Sequence, residues 1–502
     1  MWMLLSTLTL ADLPAPPEPQ EIVVPQSVRS LPGQLDSVPV FNSNSPELVQ
    51  MEGILLSTFP PMGMADPSAH LDFAFQGRFD IFAHHVYRAD DPEDLTSLYI
   101  GVVAYNPGDN DATVSILHGA SYLSQPDAPF FPLPPLEENP RGDVFAGPGS
   151  RVMSDVLRNR RQEELFPAQV TIPPGQYRLL LNAPIPVAEL DPPLNGRSTL
   201  MRLRSDQPIY LASLAHYAEV IVDLDADADL GADADMGADA DTDQMGNPDT
   251  AMDADADGIG DPDTEMPRVQ EQAPSLEDWV ALLETGDLAG GRDRPPTPLD
   301  APGQIIYGRV AGVAQGSQWD AFVSDTPESS TLTIPEPGEA VSYGLSTLVA
   351  GRLGTGQVQT APMLVRYPDT AYQAHGNYGI QYNLFMPLHN PTDVAQTVTL
   401  SLQTPIKEDM LSQDGLRFFE PLPTQTFFRG TVQVSYVDDD GRPQSRFVHL
   451  VQQRGDQSEP LVTLTLPSGD RRSVEVSFLY PPDSTPPQVL TLRTLLADED
   501  GR

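Results

Sequence analysis

The chain has 502 residues, of which 53 are proline and none is cysteine, and its formal net charge is −43 at pH 7. The absence of cysteine excludes disulfides, thiolate metal sites and cysteine nucleophiles. So large a negative charge disfavours nucleic acids and anionic membranes as partners, because both are polyanions. The frequent prolines favour loops and edge strands over long helices.

The chain begins with MWMLLSTLTLA (residues 1–11), an apolar run that ends in a small-residue sequence typical of a signal cleavage site. The positive charge that opens a secretory signal is missing, since no Lys or Arg precedes Arg29. We interpret 1–11 as a shortened signal segment, which predicts a periplasmic or extracellular protein; a disordered tail is the alternative. No apolar run reaches the roughly 20 residues that span a bilayer, so no transmembrane anchor is predicted.

The next residues, 12–50, are rich in Pro, Ser and Gln and predict an extended lead-in, followed by a first β-rich domain over 51–222. Two hairpins are predicted in that domain: one over 73–88 around a Gln-Gly turn, and one over 97–117 around Asn106-Pro107-Gly108-Asp109. The further elements predicted there are a helix within 149–166 and strands within 171–182 and 202–222.

An acidic run over 223–265 follows, with 15 Asp, one Glu and no Lys, Arg or aromatic residue. Such a segment buries too little apolar surface to offset the entropy of ordering its backbone. It therefore predicts a disordered, low-complexity linker that separates two folded halves.

The end of the acidic run carries alternating carboxylates with Gly258 at the sixth position, as in loops that bend around calcium. The candidate ligands are Asp253, Asp255, Asp257, Asp261 and Asp263. An EF-hand loop would need a glutamate where Thr264 stands. The pattern resembles the calcium repeats of thrombospondin type 3 modules more closely, although their next acid would also fall at Thr264 and their cysteines are absent. A solvated linker and a specific calcium site both remain open.

The C-terminal half begins with a helix and Pro-rich connector over 266–302, in which the helix lies within 274–291 and Ser275 is its predicted N-cap. A second β-rich domain is predicted over 303–497, followed by a short tail, 498–502. The strongest hairpin of this half is 431–453, with a turn at Asp440-Gly441.

The two halves share a weak internal repeat. Asn106-Pro107 and Asn390-Pro391 each begin a turn that leads into a strand, and each is followed later by an apolar-Pro-x-Gly turn that ends at Gly175 or Gly469. The repeated order predicts a mainly β fold. It would have two antiparallel β-sandwich-like units, a few short helices and the Asp-rich insertion between the units. Convergence on common turn chemistry is the alternative.

Three blocks, 192–210, 307–319 and 366–392, resemble those of the cyanobacterial domain of unknown function 3370 family. The resemblance covers the chain from about residue 20 to 495. It implies a cyanobacterial, exported protein, and makes the acidic run an insertion. It implies no activity, catalytic residue or ligand.

No nucleophile elbow, zinc-protease helix, phosphate loop or dinucleotide fingerprint is present in the sequence. His84 and His85 are adjacent in a predicted strand, so their rings should point to opposite faces and share no metal. His375 lies in AHGNYG and is a candidate ligand contact, with packing of the loop as the alternative. The adhesion-like triplet Arg141-Gly142-Asp143 is more simply a chance match in a loop.

Two classes of function remain. The first is a non-enzymatic envelope or extracellular β-protein with a structural or binding role, associated with calcium through its Asp-rich run. The second is a carbohydrate-binding module or carbohydrate-active enzyme on the same scaffold, with polysaccharide as its partner. The sequence nominates no catalytic pair among its 71 acidic residues, so it favours the first class.

Overall fold

A computed structural model describes residues 17–223, 268–292 and 294–496. The candidate calcium ligands from Asp253 to Asp263, the predicted signal segment 1–11 and the tail 498–502 lie outside these ranges. The prediction of a mainly β chain with few short helices is confirmed. The described residues form 28 strands and two α-helices, α1 (Pro148–Leu157) and α2 (Leu276–Thr285), with a 3-10 turn at Pro67–Ala69.

The strands of the N-terminal half are β1 (Gln20–Pro25), β2 (Ser27–Arg29), β3 (Pro39–Ser43), β4 (Leu48–Val49), β5 (Gly53–Ser57), β6 (Phe75–Arg88), β7 (Leu98–Tyr105), β8 (Ala112–Leu123), β9 (Leu136–Glu138), β10 (Gln169–Ile172), β11 (Tyr177–Ile185), β12 (Leu194–Tyr217) and β13 (Glu219–Asp223).

The strands of the C-terminal half are β14 (Arg268–Gln272), β15 (Ala311–Gln315), β16 (Gln318–Phe322), β17 (Leu332–Thr333), β18 (Ala340–Leu345), β19 (Ala361–Arg366), β20 (Gln373–Ala374), β21 (Gln381–His389), β22 (Gln396–Gln403), β23 (Gly415–Glu420), β24 (Thr426–Val437), β25 (Pro443–Gln453), β26 (Val462–Leu466), β27 (Arg471–Leu479) and β28 (Gln488–Thr494).

The first unit is organised around β12, whose 24 residues run through two layers. Its first part pairs with β6 and β8, and its last part pairs with β5 and β7. Fully buried side chains, among them Phe79, Val102 and Leu211, fill the space between the layers. Burial of this apolar surface is the main source of stability in such a sandwich.

The second unit has two layers as well. A seven-stranded sheet has the order β16-β21-β27-β24-β25-β9, with β17 also on β21, and a five-stranded sheet has the order β2-β18-β28-β22-β26. Every second residue of β21 is buried, from Tyr382 to Leu388, as expected for a strand with one face on a core. The core between the sheets includes Tyr382, Phe478 and Leu492.

The internal repeat is visible in the strand pairing. β7 pairs with β11 as β21 pairs with β27, and β8 pairs with β10 and β12 as β22 pairs with β26 and β28. The two turn asparagines make matching hydrogen bonds. Asn106 Nδ2 donates to the carbonyls of Asn110 (2.7 Å) and Ile172 (2.8 Å). Asn390 Nδ2 donates to those of Val394 (2.8 Å) and Leu466 (2.9 Å).

Strands cross between the two halves. β15 pairs with β3 and carries β19 and β20 into the large sheet of the first unit, whereas β9 pairs with β25 in the second unit. The predicted lead-in, 12–50, supplies strands that pair with both halves of the chain: β1 pairs with β23, β2 with β18 and β3 with β6. The chain therefore forms two sandwich-like units that exchange strands.

Both hairpins predicted in the first domain are wrong as hairpins. Residues 75–88 form a single strand, β6, and Gly77 has a φ of +76° within it without reversing the chain. The strands of 97–117 are present as β7 and β8, but each pairs with other strands and not with its neighbour in sequence. The turn at Asn106 therefore carries the chain from one layer to the other.

The two predicted helices are present. α1 begins at Pro148, a residue suited to the first turn because it lacks an N–H donor. α2 begins after Ser275, whose hydroxyl accepts from Asp278 N while Asp278 Oδ2 accepts from Ser275 N, which confirms the predicted cap. Trp279 on α2 is fully buried against Gly101, where an added Cβ would lie 2.7 Å from the indole ring. No helix in the described ranges is both long and apolar enough to cross a membrane.

Candidate functional site

A cleft of about 480 Å³ is the best candidate for a binding site. Its volume lies within the roughly 300–1,000 Å³ that is usual for small-molecule sites. Six separate chain segments contribute to it: the end of β3, the approach to β15, the loop after β18, the turn before β21, the loop after β22 and the loop before β28. The polar and aromatic side chains that line it are Asn42, Asn44, Arg294, Tyr307, Arg309, His375, Asn377, Tyr378, Lys407 and Thr485.

Lys407 is the single lysine of the chain and lines the cleft; the residue remains accessible to solvent, so its burial is only partial. Its ammonium nitrogen lies 5.2 Å from the centre of the Tyr307 ring, within the range of a cation–π contact. Partial burial of the ammonium group lowers the pKa of Lys407. Among the described residues no carboxylate pairs with Lys407, so the positive charge is available to a ligand.

His375 lies deeper in the cleft and is only 7% exposed. Its ring centre is 4.4 Å from that of Tyr307. Burial, together with the charge of Lys407, lowers the pKa of His375 to about 4, so the imidazole is neutral at pH 7. Its Nδ1 is buried and has no hydrogen-bond partner in the part of the chain that the structure describes. The candidate residue predicted from the sequence is thus part of the cleft.

Asparagine side chains supply the remaining polar wall. Asn42 and Asn44, each 4% exposed, have a buried Oδ1 that no described residue hydrogen-bonds. Asn377 differs, because its Nδ2 donates to Gln359 O and to the Tyr382 hydroxyl, both at 3.1 Å. Asn377 therefore holds the turn in place, whereas the amides of Asn42 and Asn44 retain unused hydrogen-bonding capacity toward the cleft.

The cleft is positively charged in a strongly acidic protein. Arg294, Arg309 and Lys407 line it, and no Asp or Glu belongs to the lining that the structure describes. Arg309 forms an ion pair with Glu47, which is also 3.7 Å from His84 Nε2. Burial acts to raise the pKa of Glu47, but its interactions with His84 and Arg309 outweigh burial and lower it, so Glu47 is ionised. Arg294, in contrast, has no ion-pair partner in the described ranges.

The other histidines discussed from the sequence, His84 and His85, do not line the cleft. His85 is buried between Ser43 Oγ (3.0 Å) and the carbonyl of Pro46 (2.9 Å), and burial lowers its pKa to about 4. His84 lies against Ser198 Oγ (2.8 Å), so the two rings have separate partners, as predicted. No cluster of three metal-ligating side chains occurs within the described residues. The calcium prediction at Asp253–Asp263 lies outside them.

The side chains of the adhesion-like triplet bond to each other, because Arg141 Nε donates to Asp143 Oδ2 at 3.0 Å. Both side chains are exposed. Of the residues that line the cleft, the sequence had identified only His375 as a candidate. The one further signal in the sequence was the position of its only lysine, Lys407, in a chain with 71 acidic residues.

Comparison with known protein families gives one match. A family described as "Protein of unknown function (DUF3370)" matches residues 26–494, nearly the whole chain. The chain belongs to the DUF3370 family. This membership confirms the family that the sequence blocks resemble. No curated protein matches the chain. All the described residues that line the cleft fall within the matched region of this DUF3370 protein.

Proposed function

We propose that this DUF3370 protein is an exported envelope or extracellular binding protein whose cleft holds an oxyanionic ligand. The observation that carries the proposal is the positive cleft: the only lysine and two arginines converge on a cavity whose described lining has no carboxylate. Export rests on the apolar N-terminal run and on the absence of cysteine.

The charge distribution favours a specific role for the cleft. A chain with a net charge of −43 repels anions at long range, so nonspecific anion binding is disfavoured. Within the cleft the partly desolvated ammonium of Lys407 interacts with an anion more strongly than it would in bulk water. Arg294, for which the described ranges contain no ion-pair partner, adds a fork of N–H donors that fits carboxylate, phosphate or sulfate.

The alternative of a carbohydrate-active enzyme predicts a groove with aromatic residues and two nearby carboxylates. Tyr307 and Tyr378 supply aromatic surface, but the described lining has no acid. The cleft therefore favours binding over acid–base catalysis.

The test is calorimetric titration of the full chain with phosphate, sulfate and D-glucuronate. We expect saturable binding of at least one of them, because Lys407 and Arg294 line the cleft and no described carboxylate pairs with either. Lys407→Gln should weaken that binding at least tenfold. Arg141→Gln is the matched control: it removes one positive charge from an 83% exposed side chain outside the cleft and should leave binding unchanged. Absence of saturable binding at millimolar concentration, or equal losses in both variants, would refute the proposal.

We further propose that Asp253, Asp255, Asp257, Asp261 and Asp263 bind calcium in this exported setting. Support comes from the alternating carboxylates around Gly258, a spacing that suits the oxygen ligands and wide coordination of calcium.

A further inference from the structure

The cleft that contains Lys407 also carries polar groups that an oxyanion alone leaves unsatisfied. Asn42 and Asn44 are each 4% exposed, His375 is 7% exposed, and all three line the cleft. The Oδ1 atoms of the two asparagines and Nδ1 of the histidine are buried, and no described residue hydrogen-bonds them. Because nearly every buried polar atom in a folded protein has a partner, three such atoms around one cleft indicate partners from outside the chain.

The unsatisfied atoms define what a ligand must supply. An amide oxygen only accepts hydrogen bonds, so Asn42 Oδ1 and Asn44 Oδ1 need donors. His375 is neutral at pH 7, so one of its ring nitrogens donates and the other accepts. Sulfate has no proton to donate at this pH. A hydroxyl group both donates and accepts, so it satisfies an amide oxygen, an amide nitrogen or either nitrogen of a neutral imidazole.

The size and the walls of the cleft suit an organic molecule better than an inorganic ion. A tetrahedral oxyanion fills only a small part of a volume of about 480 Å³. Tyr307 and Tyr378 line the cleft and supply apolar ring surface for a carbon skeleton. The Tyr378 hydroxyl already donates to the carbonyl of Ser484 at 3.3 Å, which ties its polar end to the protein.

An amino group would also supply donors, but its positive charge does not suit this cleft. Arg294, Arg309 and Lys407 line it, and the lining that the structure describes contains no Asp or Glu. An ammonium group would therefore lie among like charges without a carboxylate to offset them. Amino acids and other zwitterions are disfavoured for this reason, which leaves hydroxyl groups as the donors.

We propose that the cleft selects a hydroxylated organic anion, a small molecule that carries one oxyanion group and several hydroxyl groups, as sugar acids do. This inference rests on the proposed oxyanion site and names the class of its ligand. The oxyanion pairs with Lys407 and Arg294. The hydroxyl groups hydrogen-bond to Asn42, Asn44 and His375, whose buried atoms then have partners.

The first test is calorimetric titration of the unaltered full chain at pH 7 with sulfate and with matched pairs of carboxylates. D-Glucuronate is paired with tetrahydropyran-2-carboxylate, and D-gluconate with hexanoate; the second member of each pair keeps the carboxylate and lacks the hydroxyl groups. We expect at least one hydroxylated member to bind at least about tenfold more tightly than its partner and than sulfate. Binding without such a preference in either pair would overturn the inference, since water would then satisfy the amides, and would leave the oxyanion site intact. Absence of saturable binding by every one of these anions would refute the oxyanion site and the inference with it.

The second test removes one amide by Asn44→Leu, a change of similar size; Asn42 is less suitable because it also borders a second, smaller cavity. The preference within the pair should fall at least about threefold, whereas Lys407→Gln should weaken both members alike and keep the preference. Asn110→Leu is the matched control, because Asn110 is exposed in a turn outside the cleft, and it should change neither affinity. No described residue bonds to Asn44 Oδ1, so Asn44→Leu should retain the circular dichroism and Tm of the parent, which are measured alongside. A folded Asn44→Leu protein with an unchanged preference would overturn the inference, and the first test depends on no variant.

Discussion

Histidines in this protein show how burial can dominate the protonation state of a side chain. His85, His375 and His449 lie in different places, yet burial is the largest influence on each and lowers each pKa to about 4. The sequence showed eight histidines without distinguishing them. Whether an imidazole is exposed depends on which strands cover it, and those pairings connect residues far apart in the chain.

A pH dependence of stability follows for His449, which is fully buried on β25 beside Thr431. Its pKa is lowered to about 4 by burial and by the charge of Arg429, whereas an unfolded histidine has a pKa of about 6.5. Between these values the unfolded state binds more protons, so the contribution of His449 to stability is complete above pH 6.5 and is lost as the pH falls toward 4.

We therefore expect His449→Gln to reduce the decline of the unfolding free energy between pH 6.5 and 4.5 by up to about 1.4 kcal/mol per pH unit. Urea unfolding of both proteins at pH 8, 6.5, 5.5 and 4.5 measures this. The comparison at pH 8, where the imidazole is neutral in both states, isolates any change in packing. Parallel pH profiles for the two proteins would contradict the account.

At the scale of elements, the positions of strands and helices could be predicted from the sequence more reliably than the pairing of the strands. α2 is bounded by Ser275 and Gly286, and the hairpin of β24 and β25 turns near Asp440, because capping and tight turns are local. β7 and β8 were also visible as strands. Their pairing was not, since the same turn residues serve a hairpin and a crossing between layers.

The turn asparagines Asn106 and Asn390 give the two units a common design that can be tested. Each is fully buried, and its amide satisfies carbonyls of its own turn and of a distant strand end. Asn106→Ala and Asn390→Ala each leave one buried carbonyl, that of Ile172 or Leu466, without its donor, so each should lower the unfolding free energy by about 1–3 kcal/mol.

Chemical denaturation of the two variants measures the effect, with Asn110→Ala as the control because Asn110 is exposed in the same turn. Similar large losses in the two buried variants and little change in the control support a common role. A loss of less than about 0.5 kcal/mol in either buried variant would contradict it, since that is the range of ordinary surface substitutions.

At the scale of the whole molecule, the sequence predicted a mainly β chain but not the exchange of strands between its halves. Nothing local marks β9 as a partner of β25, or β1 as a partner of β23. The cleft was hidden for the same reason. Lys407 and His375 belong to no common motif in the sequence, and only the fold places them in one cleft with Asn42 and Arg294.

The calcium binding that we propose for the acidic run can be tested directly on the whole chain. Calorimetric titration should show saturable binding at micromolar to millimolar calcium in the intact protein, because the five aspartates supply oxygen ligands at suitable spacing. Deletion of 223–265 should abolish it. Asp253→Asn combined with Asp255→Asn and Asp257→Asn serves as the finer variant. Weak, salt-screened heats that are equal in intact and deleted chains would leave the run as a spacer.

The central claim, an oxyanion site at Lys407, is tested most directly by NMR of that one side chain. Reductive methylation with ¹³C-formaldehyde labels only Lys407 and the N-terminal amine, because the chain has a single lysine; Lys407→Arg identifies the signal. We predict a pKa below that of a dimethylated lysine in an unfolded peptide, together with a saturable shift of the signal and a rise in its pKa when phosphate, sulfate or glucuronate binds. An ordinary pKa and a signal that none of these anions moves would contradict the account.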